Sequence, residues 1–163
     1  MEYWDIYRNG KKIGMKNSRE ELEPGEYHII VEGWIQVGQE EFIIQRRSYE
    51  KKIFPGWWTC SVSGSLLSKE TPIEGLIRET KEELGIDLFE ENIRLYEKIR
   101  DGNALFYIYH ICQEFLLEDL KLDPKEVMDV NIVKVSEIYR MIKENSFVKL
   151  DYYDAFFRDV LED

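Results

Sequence analysis

The chain has 163 residues, and its 22 Lys and Arg against 33 Asp and Glu give a formal net charge of −11. This length suits one domain, and an apolar content of 44% with 13% aromatic residues excludes a disordered chain. The acidity also excludes nonspecific binding to duplex nucleic acid, because that binding needs clustered Lys and Arg against the phosphate backbone.

The sequence carries no signal for secretion or for a membrane. The N-terminus Met1-Glu2-Tyr3-Trp4-Asp5 lacks the basic and apolar regions of a signal peptide, and no window approaches the roughly 18 apolar residues of a membrane span. Two cysteines without CxxC spacing, Cys60 and Cys112, do not make a disulfide framework. We therefore expect a cytoplasmic protein with reduced thiols and no membrane partner.

Segments with strand composition come first along the chain. Residues 3–8 and 12–15 flank Asn9-Gly10, the strongest short hairpin signal, and predict an N-terminal hairpin that a polar connection, 16–26, follows. Segments 27–37 and 41–46 are also rich in β-branched and aromatic residues and are interpreted as a second hairpin. Three further segments of this composition are predicted to complete a mixed sheet: 57–62, 93–99 and 103–117.

Helices are fewer and better marked. Thr71 suits an N-cap, Glu74 completes a capping box with it, and Gly85 supplies a left-handed stop, so the spacing predicts a helix over 72–84. Two further helices are predicted at 136–144, with Ser136 as its cap, and at 151–161. The order of strands and helices predicts an α/β fold in which helices cover a mixed sheet.

Three glutamates share one side of the predicted helix 72–84. Glu79, Glu82 and Glu83 have i, i+3, i+4 spacing, at which like charges destabilise a helix by about 0.2–0.5 kcal/mol per pair. A divalent cation such as Mg²⁺ turns this destabilising repulsion into a favourable interaction, because it takes carboxylate oxygens, waters and substrate phosphates as ligands. The alternative is a solvated acidic face.

The spacing around these glutamates carries more information. Gly64, Glu70 and Arg78-Glu79-Thr80-Lys81-Glu82-Glu83-Leu84-Gly85-Ile86 reproduce the Nudix box, Gly-x5-Glu-x7-Arg-Glu-U-x-Glu-Glu-x-Gly-U, where U is a bulky apolar residue and Thr80 is the one departure. The chain therefore resembles the Nudix (MutT-like) hydrolases over residues 27–145. The resemblance implies a single Nudix domain, α/β (α+β), with a mixed sheet between helices, preceded by a hairpin and linker (1–26) and followed by a C-terminal helix (146–163).

The resemblance also implies the chemistry of the site. Glu79, Glu82, Glu83 and the carbonyl of Gly64 correspond to ligands of Mg²⁺ or Mn²⁺. Glu70 corresponds to a supporting residue, and Arg78 is expected to hold Glu70 or a neighbouring residue in place. The general base is either Glu79 or a glutamate outside the box, for which Glu126 is the candidate and an ordinary surface carboxylate the alternative. The implied reaction is hydrolysis, by metal-activated water, of a diphosphate bond in a nucleoside diphosphate linked to another moiety or in a related organic diphosphate.

The substrate has candidate partners outside the box. Arg46, Arg47, Lys51 and Lys52 form the only basic cluster, which either holds a phosphate or is a solvated hairpin tip. We predict Arg46, Arg47, Lys52 and Trp58 as substrate-binding residues, with core packing as the alternative for Trp58. The partner is then a small-molecule diphosphate, and the N-terminal hairpin offers a sheet edge through which a homodimer can form.

The flanking segments 54–59, 61–64 and 126–129 resemble a narrower Nudix group, the isopentenyl-diphosphate isomerases. Ser63 stands where those isomerases have a cysteine, and Ser65 where they have a metal-binding histidine, although His28 matches either a remaining metal-site histidine or an ordinary sheet histidine. A serine hydroxyl is a far weaker acid than a thiol, so hydrolysis is favoured. An isomerase-like enzyme and a noncatalytic module that binds a nucleotide or sugar are the alternatives.

Overall fold

The structure is a computed structural model that describes residues 1–162; Asp163, the last residue of the predicted C-terminal segment, lies outside the described residues. In chain order the elements are β1 (Tyr3–Arg8), β2 (Lys11–Asn17), β3 (His28–Gln36), β4 (Glu41–Arg47), β5 (Trp58–Thr59), β6 (Val62–Ser65), α1 (Pro72–Leu84), β7 (Ile93–Asp101), β8 (Ala104–Cys112), β9 (Val127–Lys134), α2 (Val135–Lys143) and α3 (Tyr153–Leu161). This architecture confirms the predicted mixed fold of strands and helices with an N-terminal hairpin. No helix within the described residues is long and apolar enough to cross a membrane.

The predicted N-terminal hairpin is confirmed. Strands β1 and β2 pair antiparallel around Asn9 and Gly10, whose φ angles are 51° and 76°. Two consecutive left-handed residues are what the favoured two-residue hairpin turn needs. The hairpin joins the rest of the molecule through a bridge between Tyr7 and Tyr27.

Within residues 1–162 the main sheet has seven strands, and its central strands β3 and β4 diverge. Strand β3 pairs with β8 in parallel and with β6 antiparallel, whereas its pairing with β4 is limited to Gln36 opposite Phe42, next to the turn of the predicted second hairpin. Beyond that point β4 pairs with β5 at Gln45 and Arg46, while β9 pairs with the other edge of β4 from Glu41 to Arg47. The buried Ser61 hydroxyl spans the gap, because it accepts a hydrogen bond from the amide of Ile35 and donates one to the carbonyl of Ile43.

Helix α1 begins and ends at the predicted residues. The Thr71 side chain accepts from the Glu74 amide, and the Glu74 carboxylate accepts from the Thr71 amide, so the capping box is present. Gly85 ends the helix with a φ of 72°. Thr80, the departure from the box, is fully buried, and its hydroxyl donates to the Leu76 carbonyl at 2.8 Å. The helix thus keeps the polar atom of Thr80 satisfied inside the core.

Several boundaries differ from the prediction, and the predicted strand 57–62 is wrong because the chain forms two short strands there, β5 (Trp58–Thr59) and β6 (Val62–Ser65), which pair with different strands. Strand β8 ends at Cys112 rather than at residue 117, and α3 begins at Tyr153 rather than at 151. Helix α2 begins at Val135 with Lys134 at its N-cap, without a side-chain cap, so Ser136 lies inside the helix. The reason is that β9, a strand that the composition did not predict, runs to Lys134 and continues directly into α2.

The sheet separates two hydrophobic cores. Alternate residues of β3 face opposite sides, as strand geometry requires: Val31 and Ile35 pack toward α1, and Trp34 packs toward α2 and α3. The core on the α1 side includes Ile43, Val62, Leu76, Leu84, Ile93 and Ile111. The core on the other side includes Phe42, Ile108, Ile138, Phe147, Phe156 and Phe157. Helix α1 is therefore anchored rigidly with its glutamates beside the end of β6.

Candidate active site

A cavity of about 470 Å³ lies between the N-terminal part of β3, strand β6, helix α1 and the loop after β4. Its volume is in the range of about 300–1,000 Å³ that is typical of small-molecule sites. The predicted site residues that line it are Gly64, Glu79, Glu82, Glu83, Glu126 and Arg47. The fold therefore brings most of the predicted carboxylates to one cavity, from segments that are distant in sequence.

Glu79 lies directly against the backbone of Gly64. A Cβ atom at residue 64 would stand 2.2 Å from the carboxyl carbon of Glu79, so the carboxylate fills the space that any side chain would occupy. Only glycine permits this close approach. The arrangement brings a backbone carbonyl region and a carboxylate together at the cavity.

Glu83 is held from the side of β4. Its carboxylate is buried, and Oε1 accepts a hydrogen bond of 2.7 Å from Nε2 of Gln45. The same amide donates to the carbonyl of Ser61 at 2.8 Å, next to the hydroxyl that joins the diverging strands. Gln45 therefore ties the orientation of Glu83 to the centre of the sheet.

Arg78 organises the other side of the site. Its guanidinium binds Glu70 through two bonds, Nε to Oε2 at 2.7 Å and Nη2 to Oε1 at 3.0 Å. Nη1 reaches Glu79 at 3.0 Å and Glu82 at 3.1 Å, and Nη2 also donates to the carbonyl of Ser65. These carboxylates raise the pKa of Arg78, with the hydrogen bond to Glu70 as the main cause. Arg78 thus contacts Glu70, as the sequence predicted, while the functional roles of both residues stay predictions.

The buried pair of Glu79 and Glu83 is electrostatically unfavourable as two bare anions. Burial raises the pKa of Glu79. Burial also raises the pKa of Glu83 well above its usual value, and the neighbouring Glu79 raises it further. Two hard-oxygen donors beside a glycine backbone suit a divalent cation, which would offset both charges. Glu82 is ion-paired to Arg78, and 55% of its side chain is exposed. Within residues 1–162 no group of three His, Cys, Asp or Glu side chains has the arrangement of a metal site. The role of Glu82 as a ligand stays a prediction.

Two positively charged side chains also line the cavity. Arg47 and Lys51 both line the cavity, and the Lys51 ammonium pairs with the carboxylate of Glu126. Glu126 immediately precedes β9, and its charge acts on Glu83. The candidate base outside the box thus lies at the cavity, between a lysine and the buried glutamate pair.

Three of the predicted substrate-binding residues do not line this cavity. Arg46 donates to the carbonyl of Gly56 and to the hydroxyl of Tyr49, and so holds the loop after β4. Trp58 packs against the core beside α2 and α3, and Lys52 is exposed. Their part in substrate binding stays a prediction, whereas Lys51, which belongs to the same basic cluster but is not among the predicted substrate-binding residues, lines the cavity.

The N-terminal hairpin braces the loop of the box. Asp5 accepts hydrogen bonds from the Ser68 hydroxyl at 2.7 Å and from the Lys69 amide at 3.0 Å, and the Ser68 amide donates to the carbonyl of Tyr3. Lys69 adopts a φ of 70°, which is uncommon outside glycine. Because Glu70 follows directly, the hairpin fixes the residue that orients Arg78. Sequence reasoning missed this role.

His28 lies apart from the cavity-lining residues. Its ring stacks on Trp4 with centroids 3.9 Å apart, and Nδ1 is buried without a hydrogen-bond partner in the described structure. Burial lowers the pKa of His28 to about 4. The geometry is that of a packed sheet histidine, which joins the hairpin to β3.

Sequence reasoning also missed Glu32 and Gln45. Both are polar residues on strands in which most other residues are apolar, and their exposed fractions are 6% and 4%. That contrast was the available signal, because buried polar side chains in a strand need partners. Glu32 lines the cavity and accepts a hydrogen bond from Tyr152.

Comparisons with known proteins agree with this fold and identify the family. The family model for the NUDIX domain matches residues 26–156. A Nudix hydrolase of Listeria innocua, named as uncharacterized, is 29% identical over 159 residues, which cover 96% of this chain and 94% of that protein. Isopentenyl-diphosphate Delta-isomerase 1 of Photorhabdus laumondii is 24% identical over 163 residues, with coverage of 96% and 93%. A crystal structure from Deinococcus radiodurans has a TM-score of 0.77 at 19% identity and covers 97% of this chain and 98% of its own. The chain belongs to the Nudix hydrolase family.

Proposed function

We propose that this Nudix hydrolase cleaves a diphosphate bond in a nucleoside diphosphate linked to another moiety, or in a related organic diphosphate, with Mg²⁺ or Mn²⁺ as its cofactor. The observation that carries the proposal is the buried pair of Glu79 and Glu83 beside Gly64, at the wall of a cavity that Arg47 and Lys51 also line. A strongly acidic chain would repel an anionic substrate unless cations intervened.

Glu79, Glu83 and the carbonyl of Gly64 are the groups that would hold the metal, with Glu82 as a further ligand once it leaves Arg78. The metal would supply a water of lowered pKa and would polarise the phosphoryl oxygens. Glu83 keeps its orientation through Gln45.

Other residues at the site have proposed roles in phosphate binding, in positioning Glu79 and in accepting a proton. Arg47 and Lys51, which line the cavity, would bind phosphate oxygens of the substrate. Arg78 keeps Glu79 in place while Glu70 fixes its guanidinium. The proton of the attacking water would go to Glu79 or to Glu126, since both carboxylates face the cavity.

The test is the release of phosphate and pyrophosphate from a panel of nucleotides, sugar nucleotides, dinucleotides and prenyl diphosphates, with Mg²⁺ or Mn²⁺. Glu83→Gln is the blank, because its amide oxygen can still accept from Gln45 and the fold should persist. We expect turnover that falls by more than about 100-fold in the blank, since loss of a group that only supports a metal ligand already costs about 10–100-fold. Turnover that is equal in the wild type and the blank would refute the assignment.

Glu126→Gln separates the two candidate bases. A large fall in kcat with unchanged Mn²⁺ affinity would assign the base to Glu126, whereas unchanged kcat would leave Glu79 as the base. Lys51→Met is the companion variant, because it removes the partner of Glu126 and leaves the carboxylate in place.

Isomerisation is the less favoured activity. Ser63 and Ser65 line the cavity with hydroxyl groups at the positions where the resembling isomerases have a thiol and a metal-binding imidazole. Conversion of isopentenyl to dimethylallyl diphosphate by the purified protein would overturn the hydrolase proposal. Tight nucleotide or sugar binding without turnover, with either metal, would instead favour a noncatalytic module.

A further inference from the structure

Glu126 reaches the cavity on a connecting segment, residues 120–126, that belongs to no helix or strand. The segment lies against the end of α1, where the Asp123 amide donates a hydrogen bond of 3.3 Å to the carbonyl of Glu83. Glu83 carries one carboxylate of the buried pair, and both Asp123 and Glu126 line the cavity. The position of Glu126 relative to that pair therefore depends on how the chain turns between Asp123 and Glu126.

A second contact fixes the start of the same segment. The Lys121 amide donates to the carbonyl of Leu84 at 2.8 Å. A Cβ atom at Gly85 would stand 2.7 Å from the carbonyl oxygen of Lys121, so the glycine that ends α1 also leaves room for the segment. The connecting segment is thus attached to α1 just before the turn begins.

Asp123 is the residue on which the turn closes. Its carbonyl accepts hydrogen bonds from the amides of Glu126 at 3.0 Å and of Val127 at 2.8 Å. Its side-chain Oδ1 accepts from the Lys125 amide at 3.0 Å, which is the local turn that aspartate and asparagine side chains favour. Backbone and side-chain bonds of one residue therefore fix the turn that ends at Glu126.

The other contacts of Glu126 come from the loop after β4. The Ser48 amide donates to the Glu126 carbonyl at 3.1 Å, and the Lys51 ammonium pairs with the carboxylate. The side chain of Glu126 is 40% exposed, and ion pairs at such exposure contribute little to a fixed geometry. The turn at Asp123, more than the ion pair, therefore sets the place of the carboxylate.

We infer that Asp123 is a positioning residue: the hydrogen bond that its side chain accepts from the Lys125 amide holds Glu126 at the cavity, where the Glu126 carboxylate takes part in turnover. This inference rests on the proposed function and gives Glu126 a part in the reaction. Asp123 acts on the reaction through Glu126 alone. Asparagine can replace it, because the amide oxygen accepts the same hydrogen bond.

The experiment measures kcat, KM and Mn²⁺ affinity for the wild type, Asp123→Ala and Asp123→Asn on the best substrate of the diphosphate panel. Both variants remove the charge and only alanine removes the acceptor, so their difference reports the hydrogen bond. Asp123→Ala should lower kcat by about tenfold or more, since small misplacements at a reacting centre have effects of that size, and should leave KM and Mn²⁺ affinity unchanged. Asp123→Asn should keep the wild-type kcat. Equal losses in both variants would overturn the inference, because the charge itself would then be needed.

A double-mutant cycle separates positioning from a general loss of structure. If Asp123 acts through Glu126, adding Asp123→Ala to Glu126→Gln should lower kcat no further, because residues that act as a unit are not additive. Losses that multiply would overturn the inference, and so would wild-type kcat in Glu126→Gln. Asp119→Ala is the matched control and should keep the wild-type kcat: Asp119 also accepts from a backbone amide, that of Leu116 at 3.1 Å, and does not line the cavity.

Amide hydrogen exchange distinguishes failure of this inference from failure of the proposed function. Absence of turnover in the wild type would refute the proposed hydrolysis, whereas exchange reports on the turn itself. Asp123→Ala should speed exchange at the amides of Lys125, Glu126 and Val127 by about 3–10-fold, the size expected for one lost hydrogen bond, and Asp123→Asn should not. Equal exchange in the wild type and Asp123→Ala would overturn the inference with or without turnover.

Discussion

Replacement of Gln45 by methionine removes one amide group at the centre of the site and little volume. Nε2 of Gln45 donates both to Oε1 of Glu83 and to the carbonyl of Ser61, and the side chain is 4% exposed. Gln45→Met therefore leaves two buried acceptors without their donor. Each such group costs about 1–3 kcal/mol, so the free energy of unfolding should fall by about 2–6 kcal/mol.

The same change should alter the pH dependence of turnover. The hydrogen bond from Gln45 lowers the pKa of Glu83, against the burial and the neighbouring Glu79 that raise it. Without the amide the pKa of Glu83 rises further, so a higher pH is needed to ionise the carboxyl group. The acidic limb of the pH–rate profile should shift to higher pH, and activity at neutral pH should fall by about 10–100-fold, as for other groups that support a metal ligand.

The assay is metal-dependent turnover from pH 5 to 9, together with urea unfolding, for the wild type and two variants. Gln36→Met is the matched control, because the Gln36 amide donates to two carbonyls, of Gly38 and Gln39, away from the cavity. It should lose stability and keep the wild-type pH profile. A wild-type pH profile in Gln45→Met, with turnover unchanged, would refute the link from β4 to Glu83.

Three more variants test the remaining contacts. Gly64→Ala must displace the Glu79 carboxylate, and turnover should fall by about 100-fold with a normal circular dichroism spectrum, because small misplacements at a reacting centre have effects of that size. Asp5→Ala removes the brace of the loop before Glu70 and should lower kcat about 10-fold; equal kcat would show the brace to be dispensable. Burial lowers the pKa of His28 to about 4 in the folded protein, against a reference value of 6.5. The free energy of unfolding of the wild type should therefore fall by up to about 3 kcal/mol as the pH decreases through that window, and His28→Phe should show a smaller fall. Identical unfolding free energies from pH 7 to 4 in both proteins would contradict the buried, neutral histidine.

Local signals made part of the fold predictable. Helix α1 was predicted to the residue because its start and end are set by side chains next to them in sequence, Thr71, Glu74 and Gly85. The N-terminal hairpin was predictable for the same reason, since Asn9-Gly10 prefers one turn. The glutamates of the box reach one cavity because helical spacing alone places them on the same side of α1.

Features that depend on distant contacts were not predictable. Strand β9 is an edge strand whose β-branched residues are interrupted by Asp129 and Asn131, and its place in the sheet comes from its pairing with the distant strand β4. Glu32 meets Tyr152 across 120 residues of chain, and Gln45 meets Glu83 across 38. No local pattern encodes such contacts, and for this reason the partners of Glu32 and Glu83 emerged only from the fold.

The most direct test of the central claim is Mn²⁺ binding, measured together with turnover, in the wild type, Glu79→Gln and Glu83→Gln. Glu137→Gln is the control, because Glu137 lies on α2 and pairs with Arg140. We expect Mn²⁺ affinity and turnover both to fall by about 100-fold or more in the two site variants and to match the wild type in the control. Unchanged Mn²⁺ affinity and turnover in both site variants would contradict the claim that this glutamate pair holds the catalytic metal.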